Sequence, residues 1–382
     1  MLVSLVGTWI QSVAQSWLVF ELTNSAFLLG MVGFLNSIPI FLLSLLGGVA
    51  ADRVNKKTIL LFTQVAFMIL AFILAILTHL KFITAAQVMF IAVLNGMVMA
   101  FDAPTRHAIV AELVGKDKLL NAIALNSAAF NSSRMIGPAL AGILIAAIGM
   151  SGCFYINGVS FLAVIAALLM IKVNSAHKKE ERGMFVRDLV EGLNFIRSNR
   201  SIITLISMVA VTSLFGISYV ILMPVFARDI LKVGIKGLGI LMSAAGCGAL
   251  IAALFLAALG DSKQKGKLLI ISSLVFSLGL MIFSWSKVYI LSLAMLVVVG
   301  WGSVTAIGLI NTLLQQIVPD QFRGRLMSVF MFTFAGVMPF GNLIAGSLTQ
   351  AWGAPWTVFM GSVICAVFFI VTSFLYPDIR KL

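Results

Sequence analysis

Three ionisable side chains lie inside apolar runs of this 382-residue chain, where charge is costly and most often functional. Arg134 could hold an anionic group of a ligand or pair with a carboxylate. Glu21 and Asp102 are carboxylates near the ends of such runs, where a raised affinity for protons would suit proton coupling. The structural alternatives are an Arg134 satisfied by backbone carbonyls and a local ion pair between Asp102 and Arg106, one helical turn later.

A second group of candidates lies in the glycine-rich, basic segment GGVAADRVNKK, residues 47–57. Its glycines would let two helices approach closely, and its Asp-Arg pair could cap a helix or bind a neighbouring charge. A similar segment, GDSKQKGK, occupies residues 260–267. The simpler alternative is that the basic residues only fix the orientation of the loop. The candidates of the first segment are Gly48, Asp52, Arg53 and Lys56.

The run SSRMIGPALAGILIAAIG, residues 132–149, carries the third group: Gly137, Pro138 and Gly142. Small residues repeated at about one helical turn allow backbone-to-backbone packing, and proline bends a helix. The pattern predicts a bent, closely packed helix, and a purely structural role is its alternative.

Enzyme chemistry has no support in the sequence. The chain contains neither a G-x-x-x-x-G-K-[ST] nucleotide loop nor an H-E-x-x-H metal motif. Cys153, Cys247 and Cys365 lie far apart inside apolar segments, without the spacing of metal ligands. We therefore expect no catalytic residues, cofactor or metal. The net charge of +13 is spread over short clusters, so we expect no nucleic-acid partner.

The composition places these candidates in a membrane. The chain is 61% hydrophobic and 10% charged, with a mean hydropathy of +1.11, whereas a soluble domain has about a quarter of its residues charged. A spanning helix needs about 20 mainly apolar residues. Such runs predict twelve helices, at residues 1–22, 27–50, 58–78, 84–101, 120–148, 152–171, 201–226, 237–259, 267–285, 288–314, 326–349 and 355–376.

Lys and Arg are concentrated in alternate connections between these runs, which predicts a multi-pass protein of the cytoplasmic membrane with both termini inside. The first run begins at Met1 and already contains Gln11 and Gln15, so we expect part of the first helix to be missing. Gln11, Gln15 and further polar residues in the runs are expected to line a cavity, with Phe and Met as adaptable walls. The further residues are Asn36, Asn95, Asn126, Asn131, Asn157, Asn311 and Asn342.

The chain divides into two halves around a polar linker. The linker, residues 172–200, repeats apolar residues at helical spacing and predicts an amphipathic helix on the membrane surface. The halves, residues 1–171 and 201–382, match in order, with Asp52 on Asp261 and Lys56 on Lys265. Colinear halves of six helices predict two pseudo-symmetric bundles related by an axis along the membrane normal.

These segments resemble the major facilitator superfamily over essentially the whole chain. Residues 47–57 are similar to its signature loop between helices 2 and 3, and residues 132–149 resemble the fifth-helix motif of its antiporters. Residues 12–33, 102–127 and 318–329 resemble the branch containing the enterobactin exporter and macrolide efflux proteins. The resemblance implies an all-α membrane fold in which Gly48, Asp52, Arg53 and Lys56 belong to a gate.

The resemblance also implies a secondary active transporter that exports a small, partly hydrophobic molecule, siderophore- or drug-like, by alternating access with proton antiport. Its expected partners are this substrate, membrane lipids and protons, and we expect a monomer. The arginine that many drug/proton antiporters carry in helix 4 is replaced by Ala92, so that position does not support proton coupling. The alternatives are an importer or a lipid or metabolite carrier of the same fold and, in another class, a non-transporting membrane receptor or scaffold.

Overall fold

Helices make up nearly all of the chain that the structure describes. The computed structural model describes residues 2–171, 199–260 and 264–376, and within them no side chain is described at residues 111, 115–120, 123, 124, 320 and 321. The predicted amphipathic helix of the linker lies outside the described residues. Within them no strand occurs, in agreement with the predicted all-α class.

Eleven of the described helices are long and apolar enough to cross a membrane. One of them, Leu125–Met170, has 46 residues, about twice the length that a bilayer needs. We number the spans α1 to α12 in chain order and treat this helix as α5 followed by α6. The others are α1 Leu2–Thr23, α2 Ala26–Arg53, α3 Lys56–His79, α4 Ala85–Val114, α7 Arg200–Ile230, α8 Gly234–Leu259, α9 Lys265–Trp285, α10 Tyr289–Ile317, α11 Phe322–Trp352 and α12 Ala354–Leu375.

Contacts with α1 show that the chain reverses between α5 and α6. A Cβ atom at Gly137 would lie 2.4 Å from Cβ of Trp9, while Asn157 Nδ2 donates a hydrogen bond of 2.7 Å to Gln11 Oε1. Residues 137 and 157 would be about 30 Å apart on a straight helix, whereas residues 9 and 11 are about 3 Å apart along theirs. Gly149, with φ +75°, provides the reversal. The predicted count of twelve spans agrees with this division.

The connection predicted between helices 4 and 5 was wrong in detail. Residues 102–119 were expected to be a loop, but the chain is helical without interruption from Ala85 to Met170. The segment is rich in residues that favour helix, and the ion pair between Asp102 and Arg106 bridges the turn that Pro104 weakens. The helix therefore continues past the apolar run.

Helix α7 is irregular, although the sequence predicted one regular helix over residues 201–226. An α-helix, Arg200–Val211, is followed by a π turn at Thr212–Gly216 and a 3₁₀ turn at Ile217–Leu222. A second π turn closes the span at Phe226–Ile230. Pro224 lies in the short α turn between them, and a proline removes a backbone donor and disfavours α geometry in the preceding residue.

The chain forms two compact units that differ from the predicted halves. The first contains Met1–Lys178 and Ile221–Ser243, and the second contains Lys179–Val220 and Ala244–Leu382. The last part of α7 and the start of α8 thus group with helices of the first half. The division into two six-helix bundles remains a prediction.

Each unit uses small residues where helices touch. In the first unit, a Cβ atom at Gly47 of α2 would lie 2.0 Å from the carbonyl oxygen of Ala100 of α4. In the second, a Cβ atom at Gly248 of α8 would lie 1.9 Å from the carbonyl oxygen of Val297 of α10. Such backbone contacts replace the hydrophobic driving force that lipid does not supply. The second unit also has an apolar cluster built from α7, α9, α10, α11 and α12.

Candidate functional site

Asp102 is the centre of a buried polar cluster between α3 and α4. It is 1% exposed. Its Oδ1 accepts hydrogen bonds from Thr63 Oγ1 at 2.8 Å and Gln64 Nε2 at 2.7 Å. Its Oδ2 accepts from Arg106 Nη2 at 2.7 Å and Nε at 3.1 Å. These four donors occupy the carboxylate, so the residue is built to join two helices, and the predicted ion pair with Arg106 is present.

Two of the predicted cavity residues, Gln11 and Asn157, instead bond to each other between α1 and α6. Asn157 is 2% exposed and Gln11 is 8% exposed. Ser160 donates to the Asn157 side chain at 3.2 Å, and a Cβ atom at Gly7 would lie 2.6 Å from Asn157 Oδ1. Because polar side chains in a membrane need partners, this amide pair is a helix–helix contact.

Lys56 and Lys57, in the first turn of α3, hold neighbouring helices. Lys56 Nζ lies 2.5 Å from Glu112 Oε1 at the end of α4. Lys57 Nζ donates to the carbonyl oxygens of Leu169 and Ile171, at 3.0 and 2.8 Å, where α6 ends. A cation at a helix C-terminus is favourable because carbonyl dipoles accumulate there. These contacts fix the loop to the other helices of the first unit.

The remaining gate candidates, Gly48, Asp52 and Arg53, lie near the end of α2 and make few contacts. Asp52 and Arg53 are exposed, and neither has an ion pair or hydrogen bond with the residues described. A Cβ atom at Gly48 would meet nothing within 4 Å. The close helix contact is made by the adjacent Gly47, so the structure places the two glycines in opposite surroundings.

The fifth-helix motif contacts two different helices. Gly137 faces Trp9 of α1, and Gly142 faces the first turn of α8, where its Cβ atom would lie 3.1 Å from Lys236 Cα. In return, a Cβ atom at Gly239 of α8 would lie 2.4 Å from the carbonyl oxygen of Pro138. The start of α8 belongs to the first unit. At its contact with α5, Gly239 has no room for a side chain, whereas a Cβ atom at Gly142 would need only a small shift of its neighbours.

At the end of the first unit where α1 joins α2, Arg228 of α7 holds the connection. We call this set the Arg228 clasp: Arg228, Phe20, Asn24 and Asp229. The guanidinium carbon lies 3.7 Å from the centre of the Phe20 ring, and its nitrogens donate to the Phe20 carbonyl oxygen at 3.4 Å and to Asn24 Oδ1. Asp229 Oδ1 accepts from Arg228 Nε at 2.8 Å. A cation over an aromatic face is attracted by the ring quadrupole.

Glu21 adjoins this clasp in sequence but takes no part in it. It is exposed, without an ion pair or hydrogen bond among the described residues. Arg134 is half-buried in α5 and likewise has no such partner among them. The structure therefore does not bring Arg134, Glu21 and Asp102 together. Ala92, at the position of the missing helix-4 arginine, is completely buried.

Sequence reasoning missed the Arg228 clasp and the amide pair. Arg228 could have been noticed because it is a basic residue in a connection that the charge bias predicts to be outside, against the general trend. The pairing of Gln11 with Asn157 had no signal in one sequence, because partners 146 residues apart are revealed only by the packing of α1 on α6.

Comparison with known proteins assigns the chain to a family. The family model described as "Transmembrane secretion effector", of the major facilitator superfamily, matches residues 1–381. The chain belongs to this family and is a multi-pass membrane transporter. The predicted superfamily and helical membrane fold are confirmed, and the chain is not an enzyme.

Individual relatives cover nearly the whole chain. It is 28% identical over 382 residues to the staphyloferrin A transporter of Staphylococcus aureus, covering 99% of this chain and 94% of that protein. It is 23% identical to the multidrug efflux pump Tap of Mycolicibacterium fortuitum, covering 98% and 93%. It is also 23% identical to the enterobactin exporter EntS of Shigella flexneri, covering 93% and 83%. The predicted likeness to the enterobactin exporter is confirmed.

A solved structure supports the fold independently of sequence. A D-xylose–proton symporter superposes with a TM-score of 0.81 at 13% identity, covering 100% of this chain and 98% of that chain. At this identity the likeness concerns the fold alone.

Proposed function

We propose that this chain exports a small, partly hydrophobic molecule, siderophore- or drug-like, across the cytoplasmic membrane by alternating access. The observation that carries the proposal is the contact of the fifth-helix motif with α8. Gly142 and Gly239 bring two backbones together, and Gly239 belongs to the half of the sequence opposite to that of α5. A carrier that opens where α5 ends and α8 begins must separate these two helices. Small residues let the helices pack tightly when that end is closed.

The proposal assigns roles to both ends of the first unit. The charge bias predicts that the α1–α2 connection is outside and the α2–α3 loop is inside. The Arg228 clasp and the α5–α8 contact would then close the outer end. Asp52, Arg53, Lys56 and Gly48 would act as an inner latch, and the exposed Asp52 would gain its partner when the inner end closes.

Proton antiport is the coupling that we propose, with Glu21 as the residue that carries the proton. Asp102 already accepts four hydrogen bonds, and Ala92 has no ionisable group. Glu21 is a carboxylate next to the clasp without a partner among the described residues. Its charge can therefore change without breaking an ion pair seen in this state.

Flux measurements in proteoliposomes test the proposal. Purified chain would be reconstituted and given siderophores, macrolides or lysolipids, with and without an imposed proton gradient. We expect gradient-stimulated movement of at least one siderophore or macrolide, and Glu21→Gln should remove the stimulation. Transport of lysolipids alone would favour the lipid-carrier alternative. The absence of any flux, with the protein folded, would favour a receptor or scaffold.

A further inference from the structure

We propose that Arg134 is the recognition point for an organic anion: the substrate carries a carboxylate, phosphate or sulfonate next to an apolar body. This inference rests on the proposed transport function and narrows its substrate class. It starts from a cation within a predicted span that has no ion pair or hydrogen bond among the described residues. Arg134 lies fifteen residues before the reversal at Gly149, which is about 22 Å along α5 at 1.5 Å per residue. A cation at this depth requires a partner or water.

Among the described residues, no carboxylate is available at this level. Asp102 is occupied by its four donors, and each other acidic residue inside a described span lies within two residues of that span's end. Glu21 lies in α1, twelve residues beyond Trp9, which is the α1 residue that packs against α5 near Arg134. That separation is about 18 Å along the helix. By sequence, the remaining acidic residues fall in the α4–α5 connection, the linker, the segments around Asp261 and Asp320, and the C-terminal tail.

The surroundings of Arg134 suit a ligand with an apolar part. Phe130 lies one helical turn before Arg134 and Gly137 almost one turn after it, on the same stripe of α5. The ring of Phe130 meets the indole of Trp9 edge-on, with centroids 6.2 Å apart, and Gly137 packs directly on Trp9. The Arg134 side chain therefore projects from the same face of α5 that packs on Trp9. Phe130 is 47% exposed, so an apolar surface is accessible one turn from Arg134.

The chemistry of the Arg134 side chain suits binding of an anion and does not suit transfer of a proton. A guanidinium is not deprotonated in proteins, so it cannot carry the coupled proton itself. Its planar fork of N–H donors matches carboxylate, phosphate and sulfonate oxygens in bidentate geometry. Attraction between the charges is stronger in a low-dielectric interior than in water. Anion recognition is thus the function that this residue type and position serve.

Matched pairs of probes test this inference on the full chain in zwitterionic lipid nanodiscs. The probes are aromatic carboxylates of increasing size, from benzoate through 2-naphthoate to 1-pyrenebutyrate, each with its neutral amide. Ligand binding raises the midpoint of thermal unfolding. We expect at least one carboxylate to bind at least tenfold more tightly than its amide. Arg134→Gln should abolish that preference, and Arg134→Lys should keep part of it. Lys287→Gln, which removes an exposed charge in the α9–α10 connection, should bind like the wild type.

Three outcomes would overturn the inference: no carboxylate binds, the amides bind equally well, or Arg134→Gln retains the preference. An anionic lipid head group could bind Arg134 in the same way as an anionic substrate. Repeating the assay in nanodiscs that contain phosphatidylglycerol distinguishes the two. If this lipid abolishes carboxylate binding, a lipid head group occupies Arg134 and the substrate assignment fails. The test is separable from that of the proposed function. If the chain transports a neutral compound and Arg134→Gln leaves that flux unchanged, only the anion site is rejected. If carboxylates bind but no compound is transported, only the transport function is rejected.

Discussion

The guanidinium of Arg228 lies over the ring of Phe20, 3.7 Å from its centre, and donates to the carbonyl oxygen of the same residue. One side chain of α7 thus contacts both the ring and the backbone at the end of α1. Phe20 is 3% exposed and the Arg228 side chain is 31% exposed, so the cation–π contact is partly removed from solvent. In the proposed cycle this clasp must break whenever the outer end opens.

Removing the cation of the clasp should favour the state that is open at the α1–α2 end. We predict that Arg228→Gln increases labelling of a cysteine introduced at Ser25 by a membrane-impermeant maleimide, by several-fold. The reason is the loss of a contact worth ~1–2 kcal/mol when partly desolvated. Lys232→Asn is the matched control, because it removes a nearby exposed cation at a positive-φ position that Asn tolerates. Equal labelling of both variants would show that the Arg228 clasp does not stabilise the state that is closed at the α1–α2 end.

Asp102→Asn should destabilise the fold, because it leaves the Arg106 guanidinium without its buried counter-charge. The Arg106 side chain is 25% exposed, so the loss should be about 1–3 kcal/mol, and the thermal unfolding midpoint in detergent should fall clearly. Asp229→Asn breaks an ion pair whose partners are 31% and 47% exposed and should cost at most about 1 kcal/mol. Similar midpoints for the two variants would show that the Asp102 cluster does not hold α3 to α4.

Two glycine-to-alanine changes, one in the α5–α8 contact and one at the gate, should differ in whether the added methyl group fits the fold. Gly239→Ala places a methyl group 2.4 Å from the carbonyl oxygen of Pro138, so α8 must shift and flux should fall at least tenfold. Gly48→Ala meets nothing within 4 Å and should leave folding intact, so any loss of flux there reports on the gate. Both are measured as initial rates normalised to reconstituted protein. Normal flux in Gly239→Ala would show that this contact is not required.

Asp52→Asn separates a latch from a structural role. Asp52 is exposed and lacks a partner among the described residues. The free energy of unfolding of the variant should therefore differ from that of the wild type by less than about 0.5 kcal/mol. We nevertheless expect flux to fall far more than the amount of protein in the membrane, since the proposed partner is gained only in another state. Flux equal to that of the wild type would exclude Asp52 from gating.

Apolar runs were sufficient to predict the helices, because each span must satisfy its own backbone hydrogen bonds in lipid. What failed was local: the α4–α5 connection is helical, and α7 changes helix type before Pro224. Single-sequence periodicity reports length and apolarity and does not show where a polar segment continues as a helix.

The site was predicted less well than the fold. Charge and glycine content identified the α2–α3 loop and the fifth-helix motif, but they could not tell Gly47 from Gly48 or foresee the Arg228 clasp. Those distinctions depend on which helix faces which, over separations such as the 208 residues between Phe20 and Arg228. Likewise, Gln11 and Asn157 have the polarity of cavity residues but form a hydrogen bond with each other.

Locking α5 to α8 tests the central claim, alternating access, most directly. Gly142→Cys combined with Lys236→Cys, in a background without Cys153, Cys247 and Cys365, places two thiols where a Cβ atom at 142 already lies 3.1 Å from Cα of residue 236. Under alternating access, oxidation should stop flux and a reductant should restore it, because the contact must open in every cycle. Undiminished flux from fully cross-linked protein would contradict it.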